Sequence, residues 1–193
     1  MAILKHEEQL QKIFTNVNEW LKFAEAKNFG LLSLNAAIVF GFTQTNFEEG
    51  SIIEMAGYYV FFPFTILSFL PCLISLFPIV SKIERKTKDK KDKKIKIFIK
   101  KFTNWIDKEE SFENIHFFGY LKDIDESTLE AKLQLKTGVT DSFSDYEKEL
   151  GTQILYNSRI TWLKYQFFKM GAFFFLVGMI LFSISLFFFK IFS

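Results

Sequence analysis

The sequence predicts a mainly α integral membrane protein: three transmembrane helices, two at the least, and a small, mostly helical cytosolic domain in which a short β element stays open. Three observations predict it. Of 193 residues, 49% are hydrophobic and 27 are Phe, more than the surface of a small soluble domain carries. The charged residues, 24% of the chain, occupy stretches separate from the apolar ones. Two of the apolar stretches are uncharged and long enough, at about 1.5 Å per helical residue, to cross a hydrocarbon core of roughly 30 Å.

Residues 1–28 come first. Leu10, Ile13, Phe14, Val17, Trp20, Leu21 and Ala24 recur at helical spacing and predict an amphipathic cytosolic helix. Its polar face holds acids as well as lysines, which favours packing on the cytosolic domain over anchoring to anionic lipid. The opening MAILKHEEQLQKIF is charged where a signal peptide needs an apolar core, so internal segments are expected to direct insertion.

Residues 29–80 read as a transmembrane hairpin around an acidic external loop, 44–56. Its first arm, Phe29–Phe47, is uncharged but contains Asn, Gln and Thr, and only Leu31–Phe42 is firmly apolar; a re-entrant or interfacial helix is the alternative. The second arm, Gly57–Val80, has 24 residues and no charge. It holds all three prolines, Pro63, Pro71 and Pro78, which a membrane helix tolerates when neighbouring helices and Ser/Thr hydroxyls satisfy the freed carbonyls.

Residues 81–102 form a Lys-rich cytosolic linker, read as a stop-transfer flank beside anionic headgroups and not as a nucleic-acid site. Residues 103–170 form the cytosolic domain. Lys94–Lys100 fits a strand or a helix equally, and Ile115–Leu121, short and aromatic with a Gly, reads as extended. Asp125 and Ser127 predict the cap of a helix that ends near Lys136 at Gly138. A further helix starts near Asp141 or Ser142, with Phe143, Tyr146, Leu150 and Ile154 as its stripe, and nothing strong breaks it before the last span. That span is Gly171–Phe189, 19 uncharged residues, with Lys190 placed to snorkel to the far interface. The C-terminal transmembrane helix is thus 171–190.

Lysine and arginine counts give the orientation. Residues 1–28 hold four, the stretch Gln44–Ala56 holds none beside three Glu, and Ser81–Met170 holds nineteen. The positive-inside rule then puts the N-terminus and 81–170 in the cytosol and the C-terminus outside. A single cysteine, Cys72, excludes an intrachain disulfide, and the two histidines are far apart in sequence. No phosphate loop, nucleophile elbow or paired-histidine motif is present, so no catalytic residue, metal or cofactor is expected and the chain does not read as an enzyme.

Three stretches in order resemble the Pycsar effector family of bacterial anti-phage membrane proteins: AEAKNFGLLSLNAA (24–37), NIHFFGYLKDIDESTLEAKL (114–133) and QILYNSRITWLKYQFFKMG (153–171). The resemblance covers most of the chain apart from the N-terminal helix. Tyr120 departs from it, standing where the pattern suggests His or Asp. What the resemblance implies is an effector that senses cCMP or cUMP, made by a cognate cyclase on infection, and impairs the inner membrane so that infection aborts. The implied partners are the cyclic mononucleotide, the bilayer and further copies of the chain, since three spans enclose no pore alone.

Such a ligand presents one phosphodiester charge, a ribose hydroxyl and a base face. The candidates for binding it are Lys27 and Asn28 before the first span, Asn157, Arg159 and Lys164 before the last, and His116 and Phe117, with Tyr120, as a wall. Each has a plainer reading: interfacial lysines at 27 and 164, a bridge from Arg159 to Glu25 or Asp145, core packing for Phe117, and a satisfied polar group at His116. The implied mechanism clamps the helix before the last span and passes a shift into the bilayer. Pro63, Pro71 and Pro78 are the candidate hinges, and Gly41, Gly171 and Gly178 the candidate close contacts. The rivals are a constitutive channel or transporter subunit, disfavoured by spans without charge, and a scaffold that recruits a protein partner and leaves liposomes intact.

Overall fold

The computed structural model describes residues 3–44, 55, 57–77, 101 and 113–192. Its helices are α1 (Ile3–Thr43), a π-helical turn (Gly57–Phe61) that leads into α2 (Phe62–Leu76), the short α3 (Phe118–Leu121), α4 (Glu126–Thr137) and α5 (Asp145–Phe192). There is no strand among the described residues. The chain divides into two compact units: Met1–Ala24 with Ile79–Tyr165, and Glu25–Pro78 with Gln166–Ser193.

In the first unit the amphipathic stripe of α1 is buried as its spacing requires. Leu10, Ile13 and Val17 join Leu121 of α3, Leu129 and Leu133 of α4, and Leu150, Ile154 and Leu155 of α5 in one core. Trp20, Phe118 and Tyr165 extend it, with the Phe118 and Tyr165 rings stacked 5.2 Å apart. Polar ties fix the same elements. His6 Nε2 and Thr137 Oγ1 lie 2.8 Å apart, and Asn157 donates to Asn18 Oδ1 at 2.9 Å.

The expected helix after Asp125 forms. The Asp125 carboxylate accepts from the Thr128 amide at 2.9 Å, and Gly138 closes the helix at φ 68°, a left-handed position that suits Gly. The following helix starts later than the sequence suggests. Ser144 and Glu147 form a capping box: the Ser144 amide and hydroxyl both donate to Glu147 Oε2, and the Glu147 amide donates back to Ser144 Oγ. Glu147 therefore takes the inward place, and Tyr146, expected in the apolar stripe, is exposed. From Asp145 the helix runs unbroken to Phe192, as the absence of a strong breaker predicts.

One correction concerns the β element. Ile115–Leu121 is not extended but a turn followed by α3. Asn114 Oδ1 accepts from the His116 amide at 2.9 Å and the Asn114 carbonyl accepts from the Phe117 amide, which turns the chain. Gly119 then admits the Phe117 ring where any Cβ would overlap it. An extended strand would offer that ring no such seat. Lys94–Lys100, the other candidate strand, lies outside the described residues, as do Pro78 and most of the loop and linker segments.

The second unit is inside out. Its buried positions include Asn28, Asn35, Thr65, Ser68, Ser75 and Gln166, while Leu67, Leu70, Ile74, Leu176, Ile180 and Phe187 are exposed. Apolar side chains facing outward around a small, polar interior is the arrangement that lipid favours and water does not. Gly171 marks the tightest approach. A Cβ there would lie 2.8 Å from Cys72 Sγ, 3.1 Å from the Ser68 carbonyl and 3.2 Å from Leu31 Cδ2, so side chains of α1 and α2 meet α5 at one point. Gly178 likewise admits Phe61 and Phe64, whereas among the described residues nothing lies within 4 Å of a Cβ at Gly41. Among the described residues two helices are long and apolar enough to cross a membrane, Tyr58–Leu76 and Asp145–Phe188, and both fit a membrane protein.

Candidate functional site

The first unit carries an open groove of about 820 Å³ between the start of α4 and the first four turns of α5. That is within the size of small-ligand sites, roughly 300–1,000 Å³. Leu129, Phe143 and Leu155 contribute apolar lining. Lys148, Thr152, Tyr156 and Arg159 line it from α5, at spacings of four, four and three that put them on one helical face. Asp125, Glu126 and Glu130 line it from α4.

The acids are engaged with protein donors. Glu126 accepts from the Thr152 hydroxyl at 2.8 Å, and Glu130 from the Phe143 amide at 2.7 Å. The Thr128 hydroxyl and amide, with Ser127, hold the Asp125 carboxyl below its ordinary range. The groove thus offers two cations, a phenol ring and oxygen acceptors already oriented by the helices.

Of the residues singled out in the sequence, Arg159 lines this groove. Its Nε donates to the Lys122 carbonyl at 3.2 Å and its Nη2 to the Ile124 carbonyl at 3.3 Å, tying α5 to the segment between α3 and α4. A bridge to Asp145 is excluded by distance, because the two lie on one helix about 21 Å apart. Asp145 instead lies 3.9 Å from Lys148. Asn157, two positions from Arg159 and so about 200° round the helix, faces Asn18 of α1. His116 and Phe117 sit at the turn before α3, outside the groove lining. Asn16 donates to the His116 carbonyl, and the Phe117 ring packs 4.8 Å from Phe118. Burial, then the nearby Lys136, pushes the His116 imidazole down from its ordinary pKa. Tyr120 lies under Lys132, whose Nζ is 5.1 Å from the ring centroid. Lys164 is buried in the first unit. Lys27 and Asn28 belong to the second unit, where Lys27 Nζ lies 5.4 Å from the Phe168 ring centroid and Asn28 is fully buried.

Lys148, Thr152 and Tyr156 are the groove residues that sequence reasoning missed. Their signal was a polar and aromatic face on α5 beside its apolar stripe, a pattern that any solvated helix face shares. Among the described residues no group of His, Cys, Asp and Glu side chains could hold a metal ion.

The family model described as the Pycsar effector protein domain matches residues 9–189. The chain belongs to this family. Membership makes it an effector of anti-phage defence, in a family associated with cyclic pyrimidine signalling. The match takes in α1 from Gln9, both units and the apolar part of α5, so the resemblance noted in three stretches extends over nearly the whole chain, including most of the N-terminal helix. No curated protein and no solved structure matches the Pycsar effector chain.

Proposed function

We propose that this Pycsar effector senses cCMP or cUMP with the groove of its first unit and, on binding, impairs the inner membrane so that infection aborts. The observation that carries the reading is the family match over residues 9–189. The inside-out second unit supports its membrane half, and the groove lining supports its ligand half.

In this reading Lys148 and Arg159 meet the phosphodiester by charge-assisted hydrogen bonds, and Tyr156 gives the pyrimidine a face to stack on. Glu126 and Glu130 accept from the ribose hydroxyl or an exocyclic amine. The ligand comes from a cognate cyclase, and the effector itself carries out no reaction. The helix that holds the groove residues, α5, continues into the apolar stretch after Gly171, which provides a mechanical route from ligand to bilayer. Three spans, with the stretch from Phe29 as the first, place the N-terminus and residues 81–170 in the cytosol and the C-terminus outside. The conducting form is a homo-oligomer.

Thermal stability of the purified protein in detergent, followed during titration with cyclic mononucleotides, tests the sensing half. Ligand at about 100 times its Kd stabilises the folded state by about 2.7 kcal/mol. A concentration-dependent rise in Tm with cCMP or cUMP, and none with cAMP or cGMP, is expected. No shift with either pyrimidine nucleotide in folded protein would refute the reading.

A further inference from the structure

We propose that the face of α2 formed by Thr65, Ser68, Cys72 and Ser75 is the wall that meets water in the conducting state, and that the Asn35–Ser68 hydrogen bond keeps it dry in the state described here. The inference rests on the membrane-impairing half of the proposed function and says which surface carries the leak.

These four residues recur at spacings of three, four and three, so they lie on one helical face. They extend about 15 Å along the axis, half of a roughly 30 Å hydrocarbon core. All four are fully buried. The other side of α2 presents Leu67, Leu70 and Ile74, exposed and apolar, which suit lipid in either state. The apolar part of α5 has no comparable face. From Gly171 onward its only hydroxyls are Ser183 and Ser185, and Ser183 is bonded to its own helix at the Met179 carbonyl. A helix with one polar and one lipophilic side lines a water-filled space at little cost once that polar side turns free.

Two features hold the face closed and one allows it to open. Asn35 Nδ2 donates to Ser68 Oγ at 2.8 Å, and the absent side chain of Gly171 lets α5 seat directly on Cys72 and the Ser68 carbonyl. The Asn35 side chain is fully buried, yet its Oδ1 has no hydrogen-bond partner among the described residues. An unsatisfied buried acceptor costs free energy in the closed state, and water reaching this face would satisfy it. Pro71, in the middle of the face, removes one rung of the helical ladder and supplies a bending point. The lining carries no charge, so the permeants are water and small monovalent ions with little selectivity.

The test uses the full chain in liposomes, with potassium efflux and the rate at which a charged, water-borne thiosulfonate modifies Cys72. The cysteine is the single one in the chain, so the native protein reports on its own wall. A thiol in a dry helix contact reacts slowly because a charged, water-borne reagent does not reach it. With cCMP or cUMP driving efflux, Cys72 modification should accelerate by about tenfold or more, while a Cys placed by Leu70→Cys in a Cys72→Ser background should not. Efflux with Cys72 still protected would overturn the proposal. A second arm needs no nucleotide. Asn35→Ala should raise both efflux and Cys72 modification in the absence of ligand, whereas Ser33→Ala, on the exposed side of the same helix, should change neither. If Asn35→Ala leaves both rates unchanged in protein with a normal melting transition, the latch does not exist. If nucleotides cause no efflux while Asn35→Ala opens the path, the sensing reading fails and the assignment of the wall stands.

Discussion

Arg159 shows how one side chain can serve two ends. Its Nε and Nη2 are spent on the Lys122 and Ile124 carbonyls, so it fixes the path between α3 and α4 while facing the groove. Lys148 lines the same groove from an exposed position near the start of the helix. Arg159→Ala should therefore lower both Tm and nucleotide affinity, while Lys148→Gln should lower affinity with Tm nearly unchanged. A lost charge-assisted hydrogen bond is worth roughly 1.5–3 kcal/mol, or about tenfold or more in Kd, measurable by isothermal titration. His116 carries a pH signature of a different kind. Burial and Lys136 depress its pKa, so the unfolded chain takes up the proton first as pH falls. Its contribution to stability is full above the ordinary imidazole value of about 6.5 and is lost as pH drops through the depressed value. Melting curves between about pH 7 and pH 5 should show less acid sensitivity in His116→Gln than in the parent chain.

At the scale of the elements, glycine placement makes the sharpest prediction. A Cβ at Gly178 would lie 2.6 Å from Phe64 Cβ, an atom held to the α2 backbone. Gly178→Val should destabilise the second unit by about 1–3 kcal/mol, read as a lower Tm. A Gly178→Val protein that melts normally would mean that α2 and α5 do not pack as described. Much of this level was legible in the sequence. The Asp125 cap, the Gly138 stop, the unbroken run of α5 and the close contacts at Gly171 and Gly178 follow from local chemistry that a sequence displays. The misreadings share a cause. Ile115–Leu121 looks extended by composition, but the Asn114 side chain and the Phe117–Gly119 fit decide otherwise, and both are specific three-dimensional matches. Tyr146 loses its inward place because the capping box shifts the start of the helix to Asp145. The groove was hidden for a related reason. Lys148, Thr152 and Tyr156 become a site only when α4 lies across them, and periodicity does not record which helix faces which.

For the whole molecule, two chemistries share one chain. The first unit has an apolar core and a charged groove; the second turns many of its apolar side chains outward and buries Asn28, Asn35, Thr65, Ser68 and Ser75. Segregation of charge along the sequence already announced that division, and the family match attaches a biological role to it. The proposed function joins the halves: a pyrimidine nucleotide in the groove opens the polar interior of the other unit. Nucleotide-triggered efflux from liposomes that contain only the purified chain tests this most directly. Potassium release that rises with cCMP or cUMP, is absent with cAMP and cGMP, and is weakened by Lys148→Gln is the expected result. Liposomes that stay tight at pyrimidine nucleotide concentrations that saturate the thermal shift, or that leak equally without any nucleotide, would contradict it.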